Sequence, residues 1–423
     1  MLRITNGKIW FQDSLQNLDI IIENDFIRAI EKSKNVPIDS NVFNANGKII
    51  LPGFIDVHTH LRDSKLHYKE DFESGTRAAI AGGYTTVLDM PNTDPPVTSK
   101  EILEKRIEQS KNKIFSNVGF ISSPLEAYDI DELNKAGSIA FKIYLHRPFN
   151  KQDLSDKSLT NIMSKIKDIS KPIIFHAEEL QGIDYISEKK RSVENEANAI
   201  KRIIKLLKST DVKCHFAHIS TKIGLDEITN AKNANINITS EATPHHSLLN
   251  INSVNLDHKS NIEFFKCEPP LRNIENSESI KNGLINGSID IVASDHAPHT
   301  VKEKMEDGKS GFPNLEITAR LMMDLVLKNE LKMKRFIELL IYNPVKRFSL
   351  LKRGRIAEGY KADLTIINPK GSYTINASKF YSKAKYSPFE GHMLNNSIHA
   401  TIVNGKISFL DGKINDIKSG EIL

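Results

Sequence analysis

The stretch FIDVHTHLRD, residues 54–63, sets two histidines two apart at the end of an apolar run. On an extended strand, alternate side chains share a face. His58 and His60 therefore point the same way, with Asp56 behind them. Two imidazoles on one rigid edge form half of a metal site. Further polar residues recur at the ends of later apolar runs: Lys142 in FKIYL, His176 in FHAE, His218 in HFAHIS and Asp295 in VASDHAPH. One histidine in an apolar run is ordinarily a core residue bonded to a backbone carbonyl. Four histidines and an aspartate, each at the same end of its strand, are not independent accidents. The chemistry such a set supports is metal-assisted attack of water on a polarised carbonyl. Lys142 stands apart, because a protonated amine repels a cation and has no lone pair to give. Near metal its amine shifts toward the neutral form, which can add carbon dioxide. The resulting carbamate has two oxygens and one negative charge, enough to bridge two cations about 3.5–4 Å apart.

These residues can meet only if their strands lie side by side. The middle of the chain alternates strand and helix, with candidate strands at 54–60, 84–90, 114–121, 138–145, 172–178, 213–219, 236–242 and 289–295. Amphipathic stretches separate most of them. EDFESGTRAAIAGG is closed by Gly82-Gly83, and TSKEILEKRIEQSK offers Thr98 or Ser99 as N-cap. Eight strands with crossovers count to an α/β fold, a (β/α)8 TIM barrel, whose active site lies at the C-terminal ends of the strands. The run 243–288 reads as a long irregular insertion. Both chain ends read as short strands with Asn-Gly and Asp-Gly turns, such as Asn6-Gly7 and Asp411-Gly412. The expected division is a barrel over 51–350 and a small flanking β-sandwich domain built from 1–50 and 351–423.

Composition narrows the function classes. The chain has 58 Lys+Arg against 53 Asp+Glu, a net charge of +5 with no basic block, which argues against a nucleic-acid partner. Its two cysteines, Cys214 and Cys267, lack CxxC spacing and suit a reducing cytoplasm. No apolar run approaches the ~18 residues of a membrane span, and the first residues do not read as a signal peptide.

DVHTHLR, AAIAGGYTTVLDMPNT, FKIYL, FHAE, AHIS, EATPHH, PPLR and SDHAPHT follow one another in an order that resembles the dihydroorotases of the cyclic amidohydrolase superfamily. The resemblance covers nearly the whole chain. HxH marks only the superfamily, whereas the arginine after HTHL, with MPNT and SDHAPHT, is more specific. It implies that His58 and His60 hold a deeper zinc, His176 and His218 an outer zinc, and a carboxylated Lys142 bridges both. Asp295 would ligate the deeper zinc and serve as general acid/base, while Arg62 and Asn92, assisted by His299, would grip a substrate carboxylate. The implied substrates are carbamoyl aspartate and dihydroorotate. A homodimer, with possible association with aspartate carbamoyltransferase, is also implied. Three departures stand out: Asp63-Ser64-Lys65 after the arginine, Glu268 before PPLR, and GFPNLE at 311–316. A carboxylate at 268 is unexpected beside an anionic substrate. Hydantoinases and allantoinases share the barrel and the lysine but need no carboxylate clamp. A mononuclear deaminase has no use for Lys142, and an inactive transcarbamoylase scaffold should have lost metal ligands, none of which is missing. His245 and His246 receive no catalytic role.

Overall fold

Apolar β-rich runs bounded by glycine, proline and asparagine give the strands, and the amphipathic stretches between them give the crossover helices. The computed structural model describes residues 1–32, 41–179, 191–256 and 262–423. Eight strands follow in chain order: β1 (Phe54–Thr59), β2 (Tyr84–Asp89), β3 (Asn117–Ser122), β4 (Ala140–Tyr144), β5 (Ile173–His176), β6 (Cys214–Phe216), β7 (Ile238–Ala242) and β8 (Ile291–Val292). Each pairs in parallel with the next, in the order β1 to β8. The ring closes through a parallel bridge between Thr59 and His296, where His60 N–H donates to the His296 carbonyl at 2.8 Å. The strands are buried on both faces, which is why they read as near-continuous apolar runs rather than alternating ones. The fold is thus the expected (β/α)8 barrel.

Local signals act as read. The helix Phe72–Ala81 starts at Asp71, whose carboxylate accepts from Ser74 N–H in a reciprocal capping box. It ends at Gly82, and Gly83 turns the chain into β2 at φ 88°, where a Cβ would press on Phe54 and Thr365. Ser99 is the N-cap of Lys100–Ser110, but its hydroxyl binds the Glu101 carboxylate at 2.7 Å instead of capping the backbone. The segment 243–288 departs from expectation, with residues 257–261 outside the described ones. Much of it is helical: Pro244–Leu248, Ile251–Leu256 and a 13-residue helix, Ile274–Asn286. That last helix is the crossover from β7 to β8, capped by Asn273 and stopped by left-handed Gly287. Its many Asn and Ser residues hid it, since tertiary packing overrides weak propensity.

The chain ends meet in one nine-stranded sheet. Leu2–Phe11 lies between Ser14–Glu23 on one side and Ile49–Pro52 on the other, and Ile49–Pro52 pairs with Leu364–Asn368 near the C-terminus. Ile4, Ile9, Ile20, Ile50, Leu364 and Ile366 form its own apolar cluster. Polar groups fasten this layer to the barrel. Asn404 Nδ2 donates to Asn117 Oδ1 at the start of β3 and to Ser419 O, both at 2.8 Å. Trp10 Nε1 donates to the Tyr342 hydroxyl at 3.0 Å. Cys214 and Cys267 are free and buried. Among the described residues no helix is long and apolar enough to cross a membrane.

Candidate metal centre

The β-strands deliver their C-terminal ends to a cavity of about 300 Å³. His58 on β1, His60 just past it, His176 at the end of β5, His218 after β6 and Asp295 after β8 all line it. Arg62, Asn92 and His299 line it too. Lys142 lies on β4, fully buried, its Nζ without a partner and 5.2 Å from the centre of the Tyr144 ring. The expected metal and substrate-binding residues therefore lie at or beside one site. They are not equally close. One ligand atom each from His58, His60 and Asp295 falls within 4.8 Å of the others. His176 and His218 lie beside that group with ring centres 4.4 Å apart, and His218 is 5.2 Å from His58.

Buried carboxylates and an amide aim the histidines. His58 Nδ1 donates to the Glu241 carboxylate, which leaves Nε2 facing Asp295 Oδ1 at 3.4 Å. Glu241 is held in turn by His215 Nε2 at 2.9 Å and His218 N–H at 3.3 Å. Burial works to raise the Glu241 carboxyl, but His58 and His215 overcome it and hold it well below the usual range. His60 Nδ1 donates to Asn92 Oδ1 at 2.5 Å, so its Nε2 faces Asp295 at 3.2 Å. That bond spends the carbonyl of Asn92 and leaves its amide hydrogens for something else in the cavity. His176 turns Nε2 toward Glu178 at 3.3 Å, and Arg191 clamps Glu178.

The electrostatics suit a cation. Burial pushes His60 down to about 4 and His176 and His218 well below the usual histidine range, so neutral imidazoles present lone pairs. Burial also pushes Lys142 down to about 8. Burial works to raise the Asp295 carboxyl, but its contacts with His58, His60 and His218 outweigh it and leave it well below the usual range. His218 and Asp295 sit at φ 34° and 45°, a left-handed backbone costly for non-glycine residues and concentrated at functional sites. The residues fit divalent metal. Three donors converge on one point, and the buried Lys142 Nζ and His218 Nδ1 lack any protein partner.

Arg62 reaches the cavity by a different route from the one strand alternation suggests. β1 stops at Thr59, and Arg62, Asp63 and Ser64 all have positive φ, at 52°, 55° and 50°. This tight loop is bracketed from outside. Asp89 accepts Leu61 N–H at 2.9 Å, and Arg106 donates to Arg62 O at 2.8 Å while pairing with Asp89 at 2.6 Å. Asp63 accepts from Ser64 N at 2.6 Å and Phe72 N at 3.2 Å, which gives the departure after the arginine a structural role. His299 Nε2 lies 3.5 Å from Arg62 Nη2 and donates to Ser310 O at 3.1 Å, while Lys69 Nζ donates to Nδ1 at 3.3 Å. Gly311, in the loosely matching 311–316 stretch, lines the cavity at φ 137°. A Cβ there would fall 2.6 Å from Ala297 O.

Sequence reasoning missed several residues. Tyr144, His146 and Arg147 line the cavity. Glu268 lines it as well, and its unexpected charge is neutralised by Arg191 at 2.9 Å and Arg147 at 3.3 Å, with His146 Nε2 3.6 Å away. A signal for two of these existed, since Tyr144 and His146 continue the two-residue alternation from Lys142. A second cluster, His245, His246 and Cys267, lies close enough to hold an ion. There, however, His246 is satisfied at both nitrogens, by Thr243 at 2.8 Å and the Pro269 carbonyl at 2.9 Å.

The chain is similar to known proteins over most of its length. The Amidohydrolase family matches residues 49–408. A protein from Pyrococcus horikoshii named dihydroorotase is 35% identical, covering 98% of this chain and 94% of the relative. Another of that name from Methanosarcina mazei is 34% identical, covering 92% and 90%. Among solved structures, L-hydantoinase (dihydropyrimidinase) from Arthrobacter aurescens superposes with TM-score 0.92 at 25% identity, covering 100% of this chain and 99% of the other. Dihydropyrimidinase from Brevibacillus agri superposes with TM-score 0.91 at 22% identity, covering 100% and 98%.

Proposed function

Since the chain belongs to the amidohydrolase family and is a cyclic amide hydrolase, we propose that its reaction is the reversible cyclisation of N-carbamoyl-L-aspartate to (S)-dihydroorotate and water, a step of pyrimidine synthesis. The observation that carries the proposal is the meeting in one cavity of two walls. One is the convergent donor set of His58, His60 and Asp295, and the other is Arg62 with Asn92, the pair we assign to the substrate carboxylate. The dihydroorotase name of relatives 34–35% identical supports it. Hydantoin and allantoin carry no carboxylate, so they leave the Arg62 guanidinium without a counter-charge.

In this proposal His58, His60 and Asp295 would hold one zinc, and His176 and His218 a second. Lys142, as its CO2-derived carbamate, would complete the donor set; its buried, partnerless amine is the group that carboxylation would satisfy. Metal held there would supply activation of water and polarisation of the amide carbonyl. The chain's own groups do the rest. Arg62 presents a planar fork to the substrate carboxylate, and the amide hydrogens of Asn92, left over from its bond to His60, add to that grip. His299, anchored to Ser310 and Lys69, closes the arginine side. In the hydrolytic direction Asp295 accepts the proton of the attacking water and delivers it to the departing ring nitrogen; cyclisation is the reverse and consumes one proton overall. The proposal also takes 51–350 as the barrel domain, with 1–50 and 351–423 as the β-domain, and a cytoplasmic setting. Adding carbamoyl aspartate to the zinc-loaded protein should yield dihydroorotate, with about two zincs per chain by metal analysis. Turnover of hydantoin or allantoin in place of carbamoyl aspartate would overturn the substrate assignment.

A further inference from the structure

Among the described residues, the buried polar atoms that lack a partner include four at this site: Lys142 Nζ, His218 Nδ1, Tyr144 Oη and His146 Nδ1. The first two belong to residues assigned to metal. Tyr144 and His146 belong to no such set, yet both line the cavity. Tyr144 ends β4 and His146 lies two residues beyond, three strands away from β1 in the barrel order and so across the mouth from Arg62. Their rings are fixed without spending these polar atoms. Phe149 packs edge-on against Tyr144 at 5.3 Å, and His146 stacks on His176 at 3.9 Å. A buried donor or acceptor left unmade is costly, so one carried by a residue that lines a cavity marks where a ligand can make the bond.

The two atoms have complementary roles. A phenol is protonated at neutral pH, so Tyr144 Oη offers a hydrogen. His146 turns Nε2 toward the Glu268 carboxylate at 3.6 Å, which places the ring proton on Nε2 and leaves Nδ1 as a lone pair. A donor beside an acceptor matches the C=O and N–H of a ureide. We propose that Tyr144 and His146 form the ureide-binding wall of the substrate site, opposite the carboxylate grip of Arg62. Tyr144 Oη donates to the ureide carbonyl and His146 Nδ1 accepts from a ureide N–H. Glu268 is the positioning residue that sets the His146 tautomer, and Arg191 and Arg147 keep that carboxylate charged.

The inference rests on the proposed reaction, and its test separates the two. The zinc-loaded wild-type protein is assayed first with carbamoyl aspartate and dihydroorotate. Succinate, which has carboxylates and no ureide, serves as a competitive probe of the other wall. Tyr144→Phe should lower kcat/KM about tenfold while the succinate inhibition constant stays within about twofold. His146→Leu should do the same, and His146→Asn, whose side-chain oxygen can stand where Nδ1 stood, should recover much of the loss. Wild-type turnover with Tyr144→Phe unchanged in kcat/KM overturns the ureide wall and leaves the proposed reaction standing. Equal losses for succinate and substrate also overturn it, since they indicate a merely structural role. No wild-type turnover overturns both. Should the His146 variants fail to fold, Tyr144→Phe, which removes one oxygen, still decides.

Discussion

At the scale of single residues, the site works by spending one polar atom of a side chain and leaving another free. His58 and His60 each give Nδ1–H to a side-chain oxygen, of Glu241 and Asn92, and turn Nε2 to the same point. Asn92 uses its carbonyl on His60 and keeps its amide. Arg62, by contrast, is a cation aimed into a cavity and buried to 7% exposure. Arg62→Met should raise KM for carbamoyl aspartate about 10- to 100-fold, the ~1.5–3 kcal/mol of a charge-assisted bond, with zinc content unchanged. Steady-state kinetics with metal analysis checks both halves. Asp295→Asn should cut kcat about 10²–10⁴-fold, because the amide cannot carry the proton. Turnover near the wild-type rate would assign that proton to another group.

At the scale of elements, precision comes from outside the cavity. The left-handed loop carrying Arg62 is held by the Asp89–Arg106 pair, which binds the backbone on both sides of the Leu61–Arg62 junction. Arg106→Met should destabilise the fold by about 3–5 kcal/mol in urea unfolding, since it leaves Asp89 buried without its partner. It should also raise KM, because the loop loses its bracket. Glu268 ties the loop after β4 to the segment entering the helix Val193–Thr210, through Arg147 and Arg191. Burial works to raise its carboxyl, but His146 and the two arginines hold it down, to about 2 against 4.5. The folded state therefore binds this proton less readily than the unfolded one. Stability from the group is full above about pH 4.5 and is lost as pH falls toward 2. Glu268→Gln should flatten that part of the stability curve relative to wild type, measured by chemical denaturation between pH 5 and 3.

At the scale of the whole molecule, the terminal sheet and the barrel share buried polar contacts. Asn404 bonds Asn117 and Ser419 with one amide, while its own N–H goes to Asp363. Asn404→Ala should lower stability by about 1–3 kcal/mol. Fluorescence of Trp10, on the terminal sheet, should report the same unfolding midpoint as far-ultraviolet circular dichroism. Separate midpoints would show that the two layers unfold independently.

How much of this was legible beforehand follows from the range of each interaction. Alternation along one strand is local, so FIDVHTH showed its paired histidines, and eight apolar runs with crossovers showed the barrel. Because a parallel barrel puts every strand's C-terminal end on one rim, the sequence alone already joined Lys142, His176, His218 and Asp295 to that pair. What the sequence did not contain was who stands next to whom across the rim. Glu241 behind His58, Arg191 against Glu268 and Arg106 beneath Arg62 are contacts between segments 183, 77 and 44 residues apart. No local pattern marks them. Nor could alternation foresee that β1 stops at Thr59 and that Arg62 reaches the cavity through a left-handed loop, because that backbone persists only where surrounding structure imposes it.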